Sequence, residues 1–378
     1  MQFTTRSITP FLVHDLKEKM VFLGGPRQVG KTTLARSLLD QNNGAYFTWD
    51  DLKDRKLILR NEFFTRQPML VLDEIHKYRL WRTVVKGIFD KYSSSTKILV
   101  TGSARLDHFR KGGDSLVGRY HYHRLHPFSL PELSRKCEPG IIRELLRFGG
   151  FPEPFMKQND QHLHRWQNER VSRVVTQDLT DLSSIKDVSL MELLVELLIQ
   201  KVASPLSIKS LQEDLMISPH TIERWITLLE GVYFCYRIPP FVPNNRIKAI
   251  KKTQKLYLWD WSQVENQGAR TENLIAGHLL KYCHHHIDQF GKRMELRYIK
   301  DVESREIDFV VLENKKPLFA VECKTGEKQL QSALSYYQSR YGIPKVYQVH
   351  FGKMDYGHPE KGGRVLPFHQ FCIEEKLV

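Results

Sequence analysis

At 378 residues, 41% of them hydrophobic and 11% aromatic, the chain is too long for one ordinary domain and can fill several cores. Lys and Arg number 57 against 43 Asp and Glu, a net charge of +14 that favours a polyanionic partner, nucleic acid before membrane. The five cysteines (Cys137, Cys235, Cys283, Cys323 and Cys372) lie far apart with no CxxC pair, which indicates neither a zinc site nor a disulfide framework and suits a reducing cytosol.

The opening "MQFTTRSITPFLVHDLKEKM" has no apolar core of the signal-peptide kind. The most apolar helical stretch, "SLMELLVELLIQKV", carries two glutamates and is too short to span a bilayer. A soluble, cytoplasmic protein without a membrane partner is expected.

"MVFLGGPRQVGKTTLARSLL" reads as strand, glycine-rich loop, helix. Gly25-x-x-x-x-Gly30-Lys31-Thr32 fits the Walker A pattern in the context that pattern requires. The segment Gly25, Pro26, Arg27, Gln28, Val29, Gly30, Lys31, Thr32 and Thr33 is the expected ATP-binding loop. Its backbone N–H groups would converge on phosphate, Lys31 would reach the β- and γ-phosphates, and Thr32 would give a hydroxyl to Mg²⁺. A second apolar run, "PMLVLDEIHK", ends in Asp73 and Glu74. Asp73 is the expected Mg²⁺ partner and Glu74 the group that polarises the attacking water. "TKILVTGSARLD" is a third buried-type strand, whose Thr101 or Ser103 would contact the γ-phosphate or the water; ordinary turn chemistry is the alternative. Arg105 and Arg119 are candidates for a charge-stabilising arginine, in cis or from a neighbouring subunit, with a surface ion pair as the alternative. His76, and His121 and His123 in "HYHRLH", receive no functional assignment; the last two read as ordinary strand residues.

"GGPRQVGKTTLA", "LVLDEIHK", "ILVTGSARLD", "SLVGRYHYHRLHPFSLPEL" and "LRFGGFPEP" occur in this order and at these intervals. Over nearly its whole length the chain resembles AAA+-like bacterial and archaeal P-loop ATPases that carry an uncharacterised C-terminal domain. The resemblance implies that Gly118-Arg119 holds a nucleotide-sensing arginine, and that the protein assembles as a homo-oligomer, by analogy a ring.

From Ile141 the pattern turns helical, with "GGFPEP" as a proline-stiffened loop between helices, as in a lid. "SPLSIKSLQEDLMISPHTIERWITLLEGVYFCYRIPPF" then reads helix, turn, helix, strand, with Ser207 as a candidate N-cap and Gly231 as a stop. This is the order of a winged helix-turn-helix. Lys209, Thr221 and Arg224 would meet DNA, unless the module only packs or oligomerises. "NNRIKAIKKTQK" holds Arg246, Lys248, Lys251, Lys252 and Lys255 and no acid; it is either a phosphate-binding wing or linker, or a solvated basic loop.

In the last third a helix carries Glu272, one strand Asp308 and a second strand Glu322 and Lys324, joined through the "ENKKP" hairpin. Residues two apart share a strand face, so Glu322 and Lys324 point together and Cys323 points away. This region resembles the PD-(D/E)xK nuclease fold, although Ile307 stands where that motif has proline. The resemblance implies Mg²⁺ on Asp308 and Glu322, Lys324 facing the attacking water and Glu272 in support; a salt-bridged cluster kept for binding is the alternative. "CHHH" (Cys283 to His286) fans around a helix end and reads as solvated rather than as a metal site.

The expected fold is α/β: a P-loop AAA+-like domain (1–138), a helical lid (139–188), a winged helix (189–245) and a restriction-endonuclease-like α/β domain (246–378). The expected function is ATP hydrolysis, with Mg²⁺, coupled to remodelling or processing of duplex or branched DNA. The rivals are an ATP-gated regulatory switch and an ATP-regulated, metal-dependent endonuclease.

Overall fold

A computed structural model of the chain describes residues 6–60, 62, 67–103, 116–134, 136–179, 187–243, 254–301, 303 and 305–378. These fall into two compact units, one running to His126 with Gly231–Tyr233 added, the other built from Pro127 onward. Arg105, Arg246, Lys248, Lys251 and Lys252 lie outside the described residues.

The first unit is an all-parallel sheet of β1 (Met20–Gly24), β2 (Ala45–Thr48), β3 (Met69–Asp73), β4 (Lys97–Gly102) and β5 (Tyr120–Arg124), in the order β2-β3-β4-β1-β5. β1 and β3 are buried at every position, as their unbroken apolar runs require of central parallel strands. Phe22, Leu72 and Val100 of the sheet pack with Trp81, Val85 and Ile88 of the helix Trp81–Tyr92. Each such buried side chain contributes roughly 1.5–3 kcal/mol. Because β4 lies between β1 and β3, the carboxyl ends of all three strands meet at one edge.

In the second unit the expected lid region is helical: Pro139–Phe148, Pro152–Lys157 and Asp160–Arg173. Gly149 ends the first of these at φ 76°, and a Cβ there would lie 2.8 Å from Asp260 Oδ1, so only glycine fits. Helices Val188–Gln200, Ile208–Leu215 and Pro219–Gly231 follow, and Ser207 caps the middle one by accepting from the Ser210 N–H at 3.2 Å. Strands β6 (Cys235–Ile238) and β7 (Lys255–Leu258) then pair antiparallel.

The helix Gln267–Phe290 leads into a six-stranded mixed sheet of β8 (Met294–Lys300), β9 (Glu306–Glu313), β10 (Lys316–Cys323), β11 (Lys345–His350), β12 (Tyr356–His358) and β13 (Gly363–Pro367), ordered β12-β13-β11-β10-β9-β8. The β9–β10 hairpin turns at Asn314 and Lys315, with φ of 51° and 66°, the left-handed pair that tight two-residue hairpins prefer. Leu334 and Tyr337 of the helix Ser332–Tyr341 pack against Ile307, Val310, Ala320 and Val346 of the sheet. No helix among the described residues is long and apolar enough to cross a membrane.

Candidate functional site

The loop after β1 wraps the start of the helix Lys31–Asn42. Gly30 has φ 99°, and a Cβ on Gly25 would meet the Leu125 carbonyl oxygen at 2.5 Å, so bare backbone is required at both positions. Lys31 is buried, and its Nζ donates to the Gly25 and Pro26 carbonyls at 2.8 Å each, which holds the ammonium inside the loop's curve. Arg6, which belongs to no motif, anchors the loop from behind. Its guanidinium donates to Val29 O at 2.8 Å and to His126 O.

The acids at the end of β3 are held by hydroxyls. Asp73 accepts from Thr32 Oγ1 at 3.0 Å and from the Thr101 and Tyr46 hydroxyls. Tyr46 is a further partner, on a strand that carries no motif; burial and then the Asp73 hydrogen bond push its phenol pKa well up. Glu74 sits at φ 55°, a conformation unusual for a non-glycine residue, fixed by its N–H donating to Thr101 O at 2.9 Å. Its carboxylate accepts from Ser103 Oγ at 3.0 Å and has His76 Nε2 and Lys77 Nζ each at 3.8 Å. Burial, against the pull of Glu74, lowers the His76 pKa. The residues fit a nucleotide with its magnesium ion. Two hard oxygen donors, Thr32 Oγ1 and Asp73 Oδ2, lie one hydrogen bond apart beside a loop whose glycines leave its backbone open to phosphate.

Lys31, Thr32, Asp73, Glu74, Thr101 and Ser103 are thus gathered at one sheet edge; Arg119 is not. β5 runs parallel to β1 with Met20 opposite Tyr120 and Gly24 opposite Arg124. Arg119 therefore lies at the amino-terminal edge, a strand's length of roughly 16 Å from the loop. There its Nε donates to Asp90 Oδ1 at 2.8 Å, the surface ion pair that was the alternative reading. Of the two placements expected for Arg119, in cis or from a neighbouring subunit, this geometry bears on the first alone. Arg124 is the β5 arginine at the nucleotide edge. His123 pairs with Asp15 Oδ2 at 2.7 Å inside the fold.

On the helices Ile208–Leu215 and Pro219–Gly231, Lys209 and Arg224 are exposed, and the Thr221 hydroxyl shares a 2.8 Å hydrogen bond with Ser218 Oγ. Acids are interleaved with them. Glu213 is 3.8 Å from Lys209 Nζ, and Glu223 and Glu230 both bind Arg237.

The C-terminal cluster forms as strand parity predicts, with one addition. Asp308 of β9 and Glu322 of β10 meet across the hairpin: the Asp308 N–H donates to Glu322 Oε2 at 3.3 Å, and the Cys323 N–H to Asp308 Oδ2 at 2.9 Å. Lys324 Nζ donates to Glu322 Oε1 at 2.7 Å. Glu272 accepts from Tyr257 OH at 2.7 Å. The addition is Lys255 of β7, 1% exposed, whose Nζ lies 3.1 Å from Glu272 Oε1, 2.5 Å from Glu306 Oε1 and 3.5 Å from Asp308 Oδ1. The basic stretch suggested a phosphate-facing or solvated Lys255. The three carboxylates instead draw it inside.

Burial opposes the charge of Lys255, yet Glu272, Asp308 and Glu306 hold its pKa well above the ordinary lysine range. Burial, then Asp308, pushes Glu272 up to about 7, against the pull of Lys255. The same two causes push Glu322 up to about 8, against Lys324. Burial also raises Asp308. Among the described residues no group of three or more His, Cys, Asp or Glu side chains is arranged to hold a metal ion. The acids are hard donors, but the space among Glu272, Glu306 and Asp308 belongs to an ammonium, so a divalent ion does not fit there.

Residues 17–134 match the model of an AAA domain, residues 140–266 a domain of unknown function (DUF8612) and residues 267–371 another (DUF4143). The N-terminal region is therefore an AAA-type P-loop domain. An uncharacterized protein of Methanocaldococcus jannaschii is 22% identical over 85% of this chain and 79% of its own length. An uncharacterized protein of Mycobacterium tuberculosis is 23% identical over 64% of this chain and 54% of its own. Among solved structures, a signal transduction ATPase with numerous domains and a tetratricopeptide repeat sensor from Pyrococcus horikoshii is 11% identical, at a TM-score of 0.26, over 74% of this chain and 45% of that one. The Hsp104–ADP complex of S. cerevisiae is 13% identical, at 0.29, over 72% and 41%. This chain spans less than half of either solved chain, and likenesses this slight carry no argument.

Proposed function

We propose that the chain binds and hydrolyses ATP with Mg²⁺ and uses the turnover to remodel or process DNA. The observation that carries the first half is the convergence of Lys31, Thr32, Asp73 and Glu74 at one sheet edge, each held by a named partner. Bound Mg²⁺ would screen phosphate charge, and Thr32 and Asp73 would hold it. Lys31 binds phosphate by its charge. Glu74 orients a water and takes its proton, while Ser103 fixes the carboxylate's direction. Its neighbours His76 and Lys77 limit how far that carboxylate can swing.

Support for DNA is the net charge of +14 and the exposed Lys209 and Arg224 on a winged-helix frame. Self-association belongs to the proposal, because a role for Arg119 in hydrolysis requires a second copy. The test is phosphate release measured alone and with duplex, single-stranded and branched DNA. Stimulation by one DNA form supports the proposal. Basal turnover that no DNA form changes, with no DNA binding at low salt, replaces it with the ATP-gated switch.

A further inference from the structure

The acid cluster resembles a metal-dependent nuclease centre in sequence, yet its geometry provides a cation of its own. Three carboxylate oxygens, from Glu272 on the helix and from Glu306 and Asp308 on β9, converge on Lys255 Nζ within 3.5 Å. That ammonium is no surface side chain able to swing away. Its side chain is 2% exposed and lies over the Tyr298 ring at 5.5 Å. Its backbone is paired with Ile238 on one side and bridged to Pro205 on the other. The fourth carboxylate, Glu322, is bound by a second ammonium, Lys324.

We propose that Lys255 is the resident cation of this cluster, so that the C-terminal domain binds no divalent ion at Glu272, Asp308 and Glu322 while Lys255 is in place. A divalent ion needs oxygen ligands at about 2.0–2.6 Å. To gather them here it would have to expel a buried like charge that already satisfies the same oxygens. The lysine also gives the cluster a different task. Lys255 belongs to β7, one strand of the wing, while its partners belong to the C-terminal helix and sheet. The cluster therefore ties the wing to the sheet through three buried charge contacts. This inference goes beyond the ATPase reading and does not depend on it.

The test is Mn²⁺ titration of the full chain without nucleotide, with free Mn²⁺ read by electron paramagnetic resonance. The wild type is compared with Asp308→Asn, Lys255→Met and the double variant; the P-loop contributes equally to all four. Wild type and Asp308→Asn should bind Mn²⁺ identically. Lys255→Met should gain a site at least tenfold tighter than any Asp308-dependent binding in the wild type, and the double variant should lose it. A Mn²⁺ site in the wild type that Asp308→Asn removes overturns the proposal. So does a folded Lys255→Met that gains nothing. If circular dichroism shows Lys255→Met unfolded, wild type against Asp308→Asn still decides the matter.

Discussion

The P-loop edge and the C-terminal cluster are built from the same residue types, lysines and strand-end carboxylates, but they neutralise them differently. At the P-loop, Lys31 is held by backbone carbonyls and the acids by neutral hydroxyls of Thr32, Thr101, Tyr46 and Ser103. A hydroxyl fixes a carboxylate without cancelling its charge, so acid and lysine both remain available to a ligand. In the C-terminal cluster, Lys255 and Lys324 bind the carboxylates directly, and burial pushes Glu272 to about 7 and Glu322 to about 8. There the carboxyls are neutralised from within, by an ammonium or by a proton that burial retains. An acid–lysine constellation is open to chemistry when its members are held by dipoles, and closed when they hold each other.

The sharpest way to test the open half is Lys31→Ala. It removes the phosphate-binding charge, and phosphate release should fall to background. Glu74→Gln should still bind ATP but turn over about 10²–10⁴-fold more slowly, since only the proton acceptor is lost. Nucleotide affinity by fluorescence titration, beside single-turnover rates, separates the two variants. Equal hydrolysis by Glu74→Gln and wild type would break the comparison at its open end.

For the closed half, Lys255→Ala should destabilise the second unit by about 3–5 kcal/mol in denaturant melts, because it strands buried carboxylates. A loss within a few tenths of a kcal/mol would mean that the acids are solvated and the cluster is open after all. The last effect is on pH. Folding raises the Glu322 carboxyl from 4.5 to about 8, so between those values the native state holds a proton that the unfolded chain has released. Stability must therefore fall as pH rises through that window. Melting temperatures taken from pH 5 to 8 should decline in the wild type and decline less in Glu322→Gln. Parallel profiles would remove the electrostatic basis of the closed half.

Much of this was legible in the chain. The glycine loop needs its two bare backbone positions, unbroken apolar runs name central parallel strands, and alternation along β10 put Glu322 and Lys324 on one face. Such features are local, set by steric limits and by periods of a few residues. What stayed hidden depends on register and on long-range approach. Arg119 sits one residue outside β5, and only the pairing of β5 with β1 shows that it is at the far edge. Tyr46 reaches Asp73 from a strand that carries no motif. Lys255 looked like the last member of a basic run, because sequence counts neighbours along the chain. The strand pairing of β7 with β6 turned it inward, where three carboxylates from two other elements gave a buried ammonium the partners it requires.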